Sequence, residues 1–279
     1  VKSLLVGICV VICALAGGTP GTARAGDDPL FPLIVAEDWS ALQKAARQRL
    51  DADPLDGIAL HALGRMAVDG DVGTERQREA LLPQIRACLT ARPHDAFCHL
   101  AYGQVAGAQL KSLSMFDALD SVDKVTDAFV AAVADDPSDY DARESLVTFY
   151  IRAPGIVGGS MRKAYRNADA YAKINPDYAR LLYALIALEE DDLSKAEDQL
   201  AKLPEDPSDP VLAQLTAKRW LALGIAYLGT NDYGAAQVAL TRALAHGAPS
   251  VVAKSRQALD HMPQVRPMAD NDQGSPGTY

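Results

Sequence analysis

The feature that most constrains this chain is a short punctuation that returns at nearly regular intervals. Asp53-Pro54-Leu55-Asp56, Arg92-Pro93-His94-Asp95, Asp136-Pro137-Ser138-Asp139, Asn175-Pro176-Asp177 and Asp206-Pro207-Ser208-Asp209 follow one another, and Ala248-Pro249-Ser250 closes the series, with proline steps of 39, 44, 39, 31 and 42 residues. Proline stops the preceding helix, and the Asp or Ser after it can accept hydrogen bonds from the free amides that open the next one. A period of this length marks a repeat architecture, in which each unit buries its apolar face against its neighbours. Between the prolines the apolar residues keep helical spacing, as in Ala59-Leu60-Ala62-Leu63-Met66-Ala67 and Leu181-Leu182-Leu185-Ile186-Leu188, with no convincing strand alternation. The chain therefore reads as all-α. Each unit divides again at a weaker break, at Asp69 to Gly73, Ala153 to Ser160, Glu189 to Asp192 and Gly229 to Asp232, which gives two helices per unit.

The clearest unit lies near the end. Trp220, Leu223-Gly224, Tyr227, Tyr233, Ala236, Leu240, Ala243 and Pro249 stand in an order and spacing that resembles the tetratricopeptide repeat family, the last proline one residue late. Gly224 and Ala236 are small where two antiparallel helices approach, and Trp220, Leu223, Tyr227 and Leu240 fill the space around them. Earlier units keep parts of the pattern. One has Leu60, Leu63-Gly64 and Ala67 followed by Leu81, Ile85 and Cys88, and another has Tyr102-Gly103 and Ala106 followed by Val125, Phe129 and Ala132, with ten extra residues around Leu110 to Ala118. The resemblance covers residues 38–262 and implies a right-handed superhelical solenoid of five antiparallel helix pairs, with a leading helix near Asp38 to Leu50 and a closing helix near Val251 to His261. In that family peptides commonly lie on the concave surface lined by the first helix of each pair. Counted along those helices, the residues expected to face such a groove include His61, Arg65, Phe97, Gln104, Asp141, Glu144, Thr148, Arg152, Tyr178, Leu181, Lys218, Leu221 and Ile225.

The ends differ from the repeats. Lys2, the apolar run Leu4 to Ala16 and the small residues ending Ala23-Arg24-Ala25 read as a secretory signal, with cleavage expected after Ala25; a retained anchor is the alternative, but the run is shorter than the roughly 18 residues a spanning helix needs. A periplasmic or secreted location follows. Residues 26–37 form an arm whose Leu30, Phe31, Leu33 and Ile34 can fold onto the first helix, and residues 263–279 lack periodicity and are expected to be disordered. With 27 basic against 36 acidic residues the net charge is −9, and the basic residues form no stripe, so nucleic acid is a poor partner.

Candidate chemistry is sparse. After cleavage Cys88 and Cys98 remain, at the end of one helix and the start of the next across the Pro93 turn, close enough for a disulfide in an oxidising compartment. Free buried thiols are an alternative, and a metal site recruiting His94 and His99 is another, although the order lacks the paired short spacings of structural zinc. The loop Ala153-Pro154-Gly155-Ile156-Val157-Gly158-Gly159-Ser160 invites a phosphate-binding reading, but no strand precedes it and Lys163 stands too far along; a tight insertion with Ser160 capping the next helix fits better. Glu144-Ser145 resembles the Glu-Ser pair of peptidoglycan-cleaving lytic transglycosylases, whose Gly-Leu-Met-Gln segment is absent downstream. No other nucleophile or metal motif appears, so neither a catalytic residue nor a cofactor is expected. The sequence points to a non-enzymatic scaffold or assembly factor of the cell envelope that holds a peptide or protein segment, with a Glu144-dependent envelope enzyme as the alternative.

Overall fold

The computed structural model describes residues 28–263 apart from 70, 71 and 114. The signal segment and its cleavage point, the first two residues of the arm and the tail beyond Pro263 lie outside the described residues. Helices α1 (Phe31–Val35) and α2 (Trp39–Ala52) precede five pairs: α3 (Gly57–Val68) with α4 (Glu75–Ala91), α5 (Ala96–Gln109) with α6 (Met115–Asp135), α7 (Tyr140–Arg152) with α8 (Met161–Ala172), α9 (Pro176–Glu189) with α10 (Leu193–Leu200), and α11 (Pro210–Gly229) with α12 (Tyr233–His246). Helix α13 (Pro249–Asp260) closes the chain. Among the described residues there is no strand, and no helix is long and apolar enough to cross a membrane.

The punctuation works as the local chemistry requires. Asp56, Asp95, Asp139 and Asp209 are N-caps whose carboxylates accept from the first free amides of α3, α5, α7 and α11, and Asn175 does the same for α9 with Pro176 inside the first turn. The weaker breaks at α9 to α10 and α11 to α12 turn on Asp191 and Asn231, both in the left-handed region at φ 57° and 63°. The amides of Asp192 and Asp232 then reach back to the carbonyls of Ala187 and Tyr227, which ends each helix tightly.

Packing runs along the series. Each pair packs internally, and α3 also touches α5, α5 touches α7, α7 touches α9, α9 touches α11 and α11 touches α13. Close approach inside a pair depends on small residues. A Cβ on Gly224 would sit 2.7 Å from the Leu240 side chain, and one on Gly103 would sit 2.6 Å from the Phe129 ring. Helix α6 runs 21 residues and carries the insertion that the sequence placed around Leu110 to Ala118, preceded by a 3-10 turn at Leu110–Ser112.

The arm does more than fold onto the first helix. Its α1 packs against α2, the first helix, as expected, but also against α3 and α11, so early and late elements of the described residues meet. Ala248, the N-cap of α13, has no side-chain acceptor. Glu37 supplies one from 213 residues away, accepting from the Ser250 amide at 2.9 Å and from its hydroxyl.

Cys88 and Cys98 form a disulfide that ties α4 to α5, with Cα atoms 6.0 Å apart. Both are fully buried beside Leu60, Ile85 and Ala101. Asp95 lies close enough to complete a three-ligand cluster with them, but its carboxylate is committed to the amides of Phe97 and Cys98. In the mature protein, without the segment that holds Cys9 and Cys13, we expect no thiol to be alkylated in denaturant before reduction, and reduction to lower unfolding stability by about 2 to 3 kcal/mol, as expected for a closed loop of this size. Mass spectrometry of the alkylated chain checks the first, and denaturant titration with and without reductant checks the second.

Candidate functional site

The interior holds an unusually polar cluster between α3, α5, α7 and α11. His61 on α3 is fully buried, with Nε2 2.9 Å from Asp141 Oδ2 on α7 and Nδ1 3.7 Å from Asp28 Oδ2 in the arm. Burial alone would depress the imidazole, but the hydrogen bond to Asp141 and the negative charges of Asp141 and Asp28 outweigh it and raise its pKa to about 9. Asp141 is held well below the carboxylate range despite its burial, because Arg65, His61 and Gln104 surround it. Its neighbour Asp139 is pushed the other way, up to about 7, first by burial and then by the charge of Asp141.

Farther along α7, Glu144 accepts from Arg219 of α11 and from the Tyr140 hydroxyl at 3.3 Å. Gln104 donates to Ser145 Oγ at 3.1 Å. The Arg219 Nε also donates to the Leu181 carbonyl at 3.4 Å, which fastens α11 to α9. These contacts make Glu144 and Arg219 a cross-link between units of the array.

Beside this cluster a cleft of about 930 Å³ opens between α5, α6 and α7. Val122, Val125 and Phe129 of α6, Leu110, and Phe149 of α7 line its apolar part, with Gly103 and Gly107 of α5 providing width. Arg65, Arg152, Lys218 and Arg219 line its polar part, with Glu144 the one acidic residue among the lining side chains described. Arg65, Glu144 and Lys218 also border a narrower pocket on the other side, which is walled by Phe31, Ile34, Val35 and Glu37 of the arm. The arm thus fills one part of the interior and the cleft is the part beside it.

Lys218 borders both the cleft and the narrower pocket. Its surroundings lower its pKa by withdrawing water, and the like charge of Arg65 adds to that effect. Among the described residues no carboxylate comes within ion-pair distance of its ammonium.

The groove residues expected from sequence divide into two sets. Arg65, Gln104, Glu144, Thr148, Arg152 and Lys218 do line the cleft, brought together from α3, α5, α7 and α11. His61, Asp141, Tyr178, Leu181 and Leu221 are instead buried in the body of the protein, His61 and Leu181 completely. The physical reason is that the first helices also pack on one another and on the arm, which leaves them two covered faces instead of one. Phe97 is half-buried with its ring 5.8 Å from that of His61, and Ile225 is exposed on α11 two turns beyond Lys218 and on the same face.

The apolar wall of α6 was missed because those residues read as the inward stripe of a second helix. Asp28, Glu37 and Arg219 were missed because each acts on a residue far away in sequence, for which a single chain carries no local signal.

The Ala153–Ser160 loop is a tight insertion. The amides of Val157, Gly158, Gly159 and Ser160 are spent on carbonyls of Pro154, Gly155, Pro154 and Tyr150, and Ser160 caps α8. A Cβ on Gly159 would overlap the Ala153 carbonyl, and Gly158 adopts φ 94°, so the glycines serve the turn itself. Amides so engaged cannot cradle a phosphate. Compared with known proteins, the chain matches no family model and no curated sequence.

Proposed function

We propose that this chain is a non-catalytic binding protein of the bacterial cell envelope, a tetratricopeptide-like superhelical array that holds a segment of a partner polypeptide on its inner face. The observation that carries this reading is the arm. A short helical segment with acids at both ends already lies on α3 and α11, each the first helix of its pair, with its Leu30 and Ile34 buried and its Asp28 paired with His61. The same face continues past the arm, and most of the cleft is lined from the first helix of successive pairs, where a guest segment is expected in such an array. Arg152 at the mouth and the exposed Ile225 on α11 mark the surface such a segment would cover.

The enzymatic alternative gains little support. A proton donor for glycoside cleavage needs apolar surroundings, whereas Glu144 is engaged by a guanidinium and a phenol. Photo-crosslinking residues placed at Arg152 and Ile225 should capture one and the same polypeptide in the native envelope, and the same group at the exposed outer residue Val238 should not. Capture from Val238 alone would refute the inner-face reading. Release of soluble muropeptides from peptidoglycan by the purified protein, lost in Glu144→Gln, would replace it with the enzyme.

A further inference from the structure

We infer that the cleft between α5, α6 and α7 is also a binding site for a small anionic amphiphile, an alkyl carboxylate of fatty-acid length. The inference goes beyond the polypeptide reading and does not depend on it. The cleft is in the range of sites that enclose a small ligand, at about 930 Å³. Its two ends have opposite character. Val122, Val125, Phe129 and Phe149 offer an alkyl chain a continuous apolar bed, and Leu119 and Ile156, 41% and 90% exposed, stand at its border where an apolar guest would cover them.

At the other end the charge is unbalanced. Arg219 is matched by Glu144 and Arg65 leans on Asp141 at 3.6 Å, but Lys218 has no ion-pair partner among the described residues and faces the like charge of Arg65, with Asp141, Glu37 and Asp69 acting on it only from beyond ion-pair distance. In a chain of net charge −9, this is a local cationic seat at the edge of an apolar hollow. An anion placed between Lys218 and Arg65 relieves their repulsion, and a carboxylate can accept from both. A zwitterion or a cation gains nothing there. The apolar part gives affinity and the two cations give sign selectivity, which together define a single-chain carboxylate.

The test is a titration of the full chain, unfolded and refolded to strip bound lipid, with saturated carboxylates of increasing length and with the matching alcohols and alkyltrimethylammonium ions. Affinity for the carboxylates should rise about fourfold for each methylene added until the cleft is filled, then level off. Alcohols should bind at least tenfold more weakly, and the ammonium ions more weakly still. Lys218→Met should cost carboxylate affinity about tenfold and leave the alcohols unchanged. It removes no ion pair among the described residues, and unchanged alcohol binding shows that the cleft itself is intact. Leu119→Asp, an exposed change at the border, should weaken every chain length. Saturable 1:1 binding with this sign and length dependence supports the site. Equal binding of carboxylate, alcohol and ammonium, no saturable binding, or displacement of the carboxylate by a synthetic Asp28-to-Glu37 peptide and not by other carboxylates would overturn it. Crosslinking at Ile225 reads the polypeptide partner separately, so either idea can fail alone.

Discussion

Trp220→Ala should lower the unfolding free energy by about 3 to 5 kcal/mol, the usual cost of emptying a large aromatic site in a core. The indole is 5% exposed at the centre of α11, with the Arg242 guanidinium of α12 4.5 Å from its ring centroid and Leu200, Leu203 and Ala217 around it. The loss should appear first in amide exchange from Pro210 to His261, because repeat units are coupled through their neighbours. Unchanged protection there, with partner binding abolished, would make Trp220 a contact residue and place the helices in a different phase.

Replacement of His61 by leucine should be comparably severe. The imidazolium is the shared counter-ion of Asp28 and Asp141, and removing one member of a buried ion group typically costs about 3 to 5 kcal/mol because the charges left behind stay buried. The wild-type protein should also lose stability with rising pH. His61 has its folded pKa raised from 6.5 to about 9, so its contribution is complete below 6.5 and is lost as pH climbs through 9, on the order of 3 kcal/mol. Asp139, raised from 3.8 to about 7, acts in the same direction over a lower range, since the folded form releases its proton later than the unfolded chain does. Denaturant midpoints at pH 6 and pH 9.5 test this directly. The slope between pH 8 and 9.5, above the range of Asp139, should vanish in His61→Leu, and a slope that persists there would mean another group carries it. Loss of the Asp28 contact should also open residues 28–37 to limited proteolysis.

Most of the helices were legible because their boundaries are written locally. A proline and a nearby Asp or Asn determine where a helix stops and where its successor is capped, and Asp56, Asp95, Asp139, Asn175 and Asp209 do so in the structure. Helical periodicity likewise identifies which residues turn inward. It does not say what lies inward. His61 and Asp141 satisfied the spacing of a groove and were sealed by the arm, while Val122 and Phe129 satisfied the spacing of a core and came to line the cleft. The ten extra residues before α6 were visible, but the room they open beside α5 and α7 depends on packing between units, which leaves no periodic trace.

The contact between Glu37 and Ser250 has a consequence in time. A chain that emerges from its N-terminus makes the arm first and can use it fully only at the end. At translation rates of about 5 to 20 residues per second, some 10 to 40 seconds separate the two partners, which stand 213 positions apart. Through that interval Leu30, Phe31 and Ile34 have α2 and α3 for cover but not α11. The seating of the arm is therefore a signal, given at the first described residues, that the last helix has arrived.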